Sequence, residues 1–190
     1  MIDMKARKWT TVLLAPLGRG LAKIGIRAWQ VTLFGLAVTV TGAAFVAGGR
    51  FVWGAVLVLV GSGIDALDGA VARSRGSVSE RGAFLDAGTD RIGETAMWTG
   101  LAVAVAQTTS WVALSVLCLG ASLITSYLRA KAETGGVDGR GGLMGRAERV
   151  ILYGVGLLFG WIGPMLWAMT LLTWATVAQR FWLGWKRLGT

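Results

Sequence analysis

Six long apolar runs occupy most of this sequence and leave few folds open to it. They lie near residues 30–48, 51–72, 84–106, 110–130, 148–162 and 164–183. A helix needs about 20 predominantly apolar residues to cross a hydrocarbon core about 30 Å thick. With 54% hydrophobic residues and a mean hydropathy of +0.61, 190 residues carry too little polar surface for an ordinary soluble domain. The runs therefore predict an all-α integral membrane protein with six transmembrane helices. Upstream, from about Asp3 to Gly25, Trp9, Val12, Leu13, Leu17 and Leu21 alternate in helical rhythm with Lys5, Lys8, Arg19 and Lys23. That pattern predicts an amphipathic helix lying in the membrane interface. The expected organisation is one membrane domain over 1–190, with residues 1–28 interfacial and 29–190 forming the bundle.

Charge orients this bundle. The net charge is +9, yet the basic residues flank apolar runs and do not line a soluble face, which argues against a nucleic-acid partner. The linkers after the second and fourth runs hold Arg73, Arg75 and Arg81, then Arg129, Lys131, Arg140, Arg146 and Arg149, and both termini are basic. Arg50 is the one Lys or Arg left for the opposite side. Excess Lys and Arg mark the cytoplasmic side. Both termini and both basic linkers are thus expected in the cytoplasm, in a multi-pass protein of the cell membrane. Trp98, Trp111, Trp161, Trp167, Trp174, Trp182 and Trp185 mostly fall near run ends, as interface anchors do. Gly156 and Gly160 form a Gly-x3-Gly pair of the kind that lets helices approach closely. Cys118 is the only cysteine and lies in an apolar run, so no intrachain disulfide forms.

Four of the ten acidic residues stand at the ends of two neighbouring runs: Asp65 and Asp68, then Asp86 and Asp90. Residues three or four apart share a helix face, so Asp65, Asp68, Gly69 and Ala72 form one stripe and Gly82, Asp86 and Asp90 another. A carboxylate at bilayer depth costs about 2.5–3.5 kcal/mol on insertion scales, so a cluster of four demands cations. Hard oxygen donors suit Mg²⁺, Mn²⁺ or Ca²⁺, and a chain with no histidine and one cysteine does not suit zinc or copper. Gly69 and Ala72 leave room beside the acids, and Arg73 is placed to bind a phosphate. The alternative is that the acids cap helices or pair with Arg73, Arg75, Arg81 and Arg91. Four acids in register with two small residues and an arginine are hard to assign to capping.

The string Asp65-x2-Asp68-Gly69-x2-Ala72-Arg73-x8-Gly82-x3-Asp86-x3-Asp90 resembles, without gap or substitution, the motif of the CDP-alcohol phosphotransferase family of integral membrane enzymes. The resemblance implies a six-helix membrane fold, two Mg²⁺ or Mn²⁺ ions held by Asp65, Asp68, Asp86 and Asp90, and a CDP-linked lipid donor such as CDP-diacylglycerol. It implies that Asp65, Gly69, Ala72, Arg73 and Gly82 line the donor's nucleotide and diphosphate. Asp90 would accept the proton of the attacking alcohol, with release of CMP.

The second basic linker bears on the acceptor. Arg129, Arg149 and Arg180 are placed to converge on a cytoplasmic pocket, and several arginine forks suit an acceptor phosphate. Ser126-Tyr127-x-Arg129-Ala130-Lys131-Ala132-Glu133, followed by Arg146-x-Glu148-Arg149, is similar to the branch of the family that uses inositol phosphate. That branch implies Ser126, Arg129, Arg149 and Arg180 as acceptor contacts. The chain departs from it in the order of Arg129 and Lys131 and in Ala147, where the branch often has proline. Glycerol 3-phosphate is the alternative acceptor, and a small cation transporter is the alternative outside enzymes. Membrane lipids are partners in every reading, and monomer and homodimer both remain open.

Overall fold

In a computed structural model, residues 15–189 are described. Residues 3–14 of the expected interfacial helix lie outside them. Residues 15–23 are helical (α1). There follow α2 (Ala28–Ala47), α3 (Phe51–Asp65), α4 (Asp68–Ser74), α5 (Glu80–Ala104), α6 (Thr109–Thr134), α7 (Arg146–Leu158) and α8 (Ile162–Leu188). No strand occurs among the described residues. Among the described residues, three stretches are long and apolar enough to cross a membrane: Ala28–Ala47, Phe51–Ser74 and Thr109–Thr134. The fifth expected run yields only the 13-residue α7, about 20 Å of helix.

The second run contains a break that its even apolarity concealed. Helix α3 ends at Asp65 and α4 begins at Asp68, with Ala66 and Leu67 between them in right-handed conformation (φ −60° and −80°). Leu67 donates to Ile64 O at 2.9 Å, a tightened turn that replaces the regular helical bond. The chain keeps its direction, but the two aspartates belong to different helices. Ser79 caps α5 by accepting from the Gly82 amide at 3.2 Å, so the second acidic pair sits one to three turns inside a well-started helix.

The two ends of the bundle differ. Short connections at 48–50, 105–108 and 159–161 gather at one end, and the longer linkers at 75–79 and 135–145 at the other. Around the short connections lies a dense apolar core that includes Val46, Leu101, Leu114, Leu157 and Leu166. Trp98, expected as an interface anchor, is instead 2% exposed. Its ring meets Tyr153 edge-on, with centroids 5.4 Å apart, and the Tyr153 hydroxyl donates to Met97 O at 2.9 Å. Apolarity on all sides of α5 near Trp98 gave no sign of which side would be covered. Trp161, Trp167, Trp182 and Trp185 are exposed. The Gly156–Gly160 pair also divides: Gly156 abuts Met165 of α8, while Gly160 turns the chain after α7 at φ +69°.

The acids are carried by the close approach of α2 to α3. A Cβ added at Gly35 would meet Gly61 O at 2.8 Å, the Asp65 amide nitrogen at 3.0 Å and Asp65 Cβ at 3.2 Å. Small residues permit this contact, and it presses the end of α3 against α2. Helix α1 braces α4 in turn. Arg75 donates to the carbonyls of Ala22 and Ile26 at 3.2 Å each, and Ser74 Oγ donates to Gly18 O at 3.4 Å. Gly35→Val should therefore lower Tm in detergent, by an overpacking cost of about 1–3 kcal/mol. Gly63→Ala, with open space beside it, should leave Tm unchanged. Equal thermal unfolding of the two variants would contradict the packing role of Gly35.

Candidate active site

Asp65, Asp68 and Asp86 converge from α3, α4 and α5. Each offers a carboxylate oxygen, and the three oxygens lie within 4.8 Å of one another. Asp65 is buried at 6% exposure. Thr32 of α2 is also buried, and its hydroxyl donates to Asp68 Oδ2 at 2.6 Å, which fixes that carboxylate. The donor set is entirely hard oxygen at a spacing that one or more divalent cations can bridge, so these residues fit a Mg²⁺ or Mn²⁺ centre. Like charges so close, in a partly buried site, require positive charge nearby.

Asp90 stands one turn beyond Asp86 and faces two arginines. Its Oδ2 accepts from Arg91 at 3.1 Å. Its Oδ1 lies 2.5 Å from Arg146 NH1 in ion-pair contact, but off hydrogen-bond direction, so that buried oxygen has no hydrogen-bond partner. The same Arg146 NH1 donates to Asp65 Oδ2 at 2.8 Å. Arg146 thus joins Asp90 of α5 to the Asp65–Asp68–Asp86 cluster.

A second layer runs from Asp90 towards α6, α7 and α8. Arg91 donates to Ser126 Oγ and lies 3.3 Å from Glu94 Oε2. Glu94, 2% exposed, accepts on Oε1 from Arg149 Nε at 2.9 Å and NH2 at 2.5 Å, while Arg149 NH1 donates to Met144 O at 3.2 Å. Arg180 donates to Gly141 O at 2.8 Å and Thr125 O at 2.6 Å, which ties the Gly-rich linker to α6 and α8. The charges of Arg149, Arg129 and Arg91 all act on Arg180. Arg129 is half-exposed and pairs with Glu133 at 2.9 Å. The four expected acceptor residues are thus carried by α6, α7 and α8, with Arg149 the most deeply buried.

Gly69, Ala72 and Arg73 follow Asp68 along α4. A Cβ at Gly69 would meet Arg73 NH1 at 3.1 Å, so the missing side chain leaves the guanidinium room to fold back along the helix. Gly82 is exposed in the first turn of α5.

The CDP-alcohol phosphatidyltransferase family model matches residues 26–182, most of the chain. This protein belongs to that family. It is similar to the phosphatidylinositol phosphate synthase of Mycobacteroides abscessus, at 34% identity over 95% of this chain and 87% of that one. The synthase of Corynebacterium glutamicum is likewise 34% identical, again over 95% of this chain and 87% of that one. Among solved structures, the Mycobacterium tuberculosis phosphatidylinositol phosphate synthase with CDP-DAG bound superposes with a TM-score of 0.85 at 32% identity, covering 90% of this chain and 93% of that one. The same enzyme with manganese and citrate gives a TM-score of 0.83 at 32% identity, covering 90% and 88%.

Sequence reasoning missed Thr32 and Glu94 of this family member's site, read Arg146 only as a charge of the second basic linker, and named Arg91 only in the alternative, as a partner of the acids, a pairing that Asp90 makes. Glu94 did carry a signal, because it falls four residues after Asp90 on the same face of an apolar helix, where an unpaired acid is costly. Glu94→Ala would leave the buried Arg149 guanidinium without its counter-ion, at a cost of about 3–5 kcal/mol. Denaturation in detergent should show that loss, with part of it recovered in Glu94→Leu/Arg149→Met. A Glu94→Ala protein as stable as the parent would remove this pair from the stabilising contacts.

Proposed function

We propose that this enzyme transfers the phosphatidyl group of CDP-diacylglycerol to a hydroxyl of inositol phosphate, releasing CMP, within the cytoplasmic membrane. The observation that carries the reading is the convergence of Asp65, Asp68 and Asp86 beside Asp90, with Arg91 and Arg146 paired to Asp90, in a chain whose relatives are named for that reaction. Six membrane-crossing helices preceded by an interfacial helix form one domain in this reading. Both termini and both basic linkers face the cytoplasm, where a CDP-lipid presents its nucleotide.

Asp65, Asp68 and Asp86, with Asp90 at the edge of the cluster, hold two divalent ions, Mg²⁺ or Mn²⁺. When bound, such ions neutralise charge on the diphosphate and favour departure of CMP. Gly69 and Ala72 admit the cytidine diphosphate against α4, Gly82 lets it approach α5, and Arg73 reaches its phosphate. On the opposite side, Ser126, Arg129 and Arg180 receive the acceptor phosphate, with Arg149 adding its charge from below. Two substrates held on opposite sides of Asp90 bring the acceptor hydroxyl to the phosphatidyl phosphorus. Asp90 Oδ1 is ion-paired with Arg146 but accepts no directed hydrogen bond, so it keeps a lone pair for the hydroxyl proton. The oxygen–phosphorus bond forms, the bond from that phosphorus to CMP breaks, and the proton stays on Asp90 until solvent removes it.

Purified protein should release CMP from CDP-diacylglycerol with inositol phosphate, and far more slowly with glycerol 3-phosphate or unphosphorylated inositol. Asp90→Asn should abolish turnover while CDP-lipid still binds, because the carboxylates of Asp65, Asp68 and Asp86 remain. Near-parental CMP release by that variant would sink the assignment of the base. Replacing Arg129 by alanine removes a charge-assisted contact worth about 1.5–3 kcal/mol, so the acceptor KM should rise about tenfold to a hundredfold. The donor KM should hardly change. An unchanged acceptor KM would move the acceptor phosphate elsewhere.

A further inference from the structure

Two arginines of α7 enter the site, and they are held in different ways. Arg149 is fully engaged: its Nε and NH2 bind Glu94, its NH1 binds Met144 O, and its side chain is 4% exposed. Arg146 is 29% exposed, its Nε is buried without a hydrogen-bond partner, and its NH1 alone reaches Asp65 and Asp90. It opens α7 directly after the Gly-rich linker, with Gly145 as the preceding cap residue. The first arginine is locked into the fold, whereas the second is anchored only through carboxylates that a metal centre also needs.

The charges sharpen this contrast. Asp65, Asp68, Asp86 and Asp90 present four negative charges, and Arg146 and Arg91 return two in direct contact. A divalent ion drawing on Asp65 or Asp90 meets a guanidinium already on those oxygens, and two cations a few ångströms apart in a partly buried site repel strongly. We propose that Arg146 competes with divalent cations for the oxygens of Asp65 and Asp90 and so sets the concentration at which the site loads. The inference rests on the reading that Asp65, Asp68 and Asp86 hold divalent ions. It adds a residue whose removal strengthens metal binding, where loss of a ligand or of a merely structural contact weakens it. Held between clusters, Arg146 also keeps Asp90 from being drawn fully into the metal shell, leaving an oxygen for the acceptor proton.

The test is Mn²⁺ binding to the full-length, detergent-solubilised chain, read from the spin resonance signal of free Mn²⁺ without any substrate. Arg146→Gln should lower the Mn²⁺ Kd about tenfold or more. Arg140→Gln, which removes an exposed linker charge, should leave it within about twofold, since exposed charges are screened. An Arg146→Gln Kd equal to or weaker than the parent's overturns the proposal, as does equal tightening in Arg140→Gln. Absence of Mn²⁺ binding in parent and variant alike also overturns it. Should Arg146→Gln fail to purify as a monodisperse species, Arg146→Lys withdraws the charge from the oxygens on a shorter arm. It should tighten Mn²⁺ about threefold, and no tightening overturns the proposal. CMP release by the parent preparation separates the two readings. If the parent turns over and the Kd does not move, only the role of Arg146 falls; if Mn²⁺ binds but no CMP appears, the functional reading falls.

Discussion

Mutual repulsion among carboxylates held within a few ångströms of one another is the constraint on which this structure depends. An apolar bundle would ordinarily keep such charges apart or in water. Here the contact between Gly35 of α2 and the Gly61–Asp65 end of α3 forces one acid inward, and Thr32 pins a second. The third arrives on α5, which also packs against α2. Every neighbouring feature answers that concentration of charge: two arginines contact the acids directly, and a buried glutamate balances the arginine behind them. Packing at the far end is what lets this end carry the strain. Trp98, Tyr153, Leu101 and Leu157 are almost wholly covered, and burial of large side chains at about 1.5–3 kcal/mol each offsets a costly site.

How far the sequence disclosed this arrangement depended on the range of the interaction. Local spacing placed Asp65, Asp68, Asp86 and Asp90 at the facing ends of two runs, and the structure brings three of those acids together with the fourth beside them. The break at Ala66–Leu67 was hidden because both residues are apolar and remain right-handed, so nothing in composition marked it. Helix periodicity gives faces but not neighbours. Trp98 could have met lipid or protein, and only the proximity of Tyr153, 55 positions later, settles it as core.

The arginines show the same limit in charged form. A positive-inside count treats Arg91, Arg146 and Arg149 alike, since it weighs charge against side of the membrane and ignores partners. The fold separates them into three situations. Arg149 is committed to Glu94, Arg91 bridges Asp90, Glu94 and Ser126, and Arg146 is shared between Asp65 and Asp90. Those partners lie 55 and 81 residues away for Glu94 with Arg149 and Asp65 with Arg146, beyond any pattern within one helix.

One network of ion pairs runs from the acids through Asp90 to Arg149. Asp90 touches both layers: Arg146 connects it to Asp65, and Arg91 connects it to Ser126 and, through Glu94, to Arg149. A change in charge on either side is therefore felt at the same carboxylate, whose affinity for a proton follows the charges nearest to it. In the proposed reaction Asp90 is the base, so its surroundings are set jointly by the two layers, and substitutions at Arg146 and at Arg91 should act on it non-additively because they share that one carboxylate.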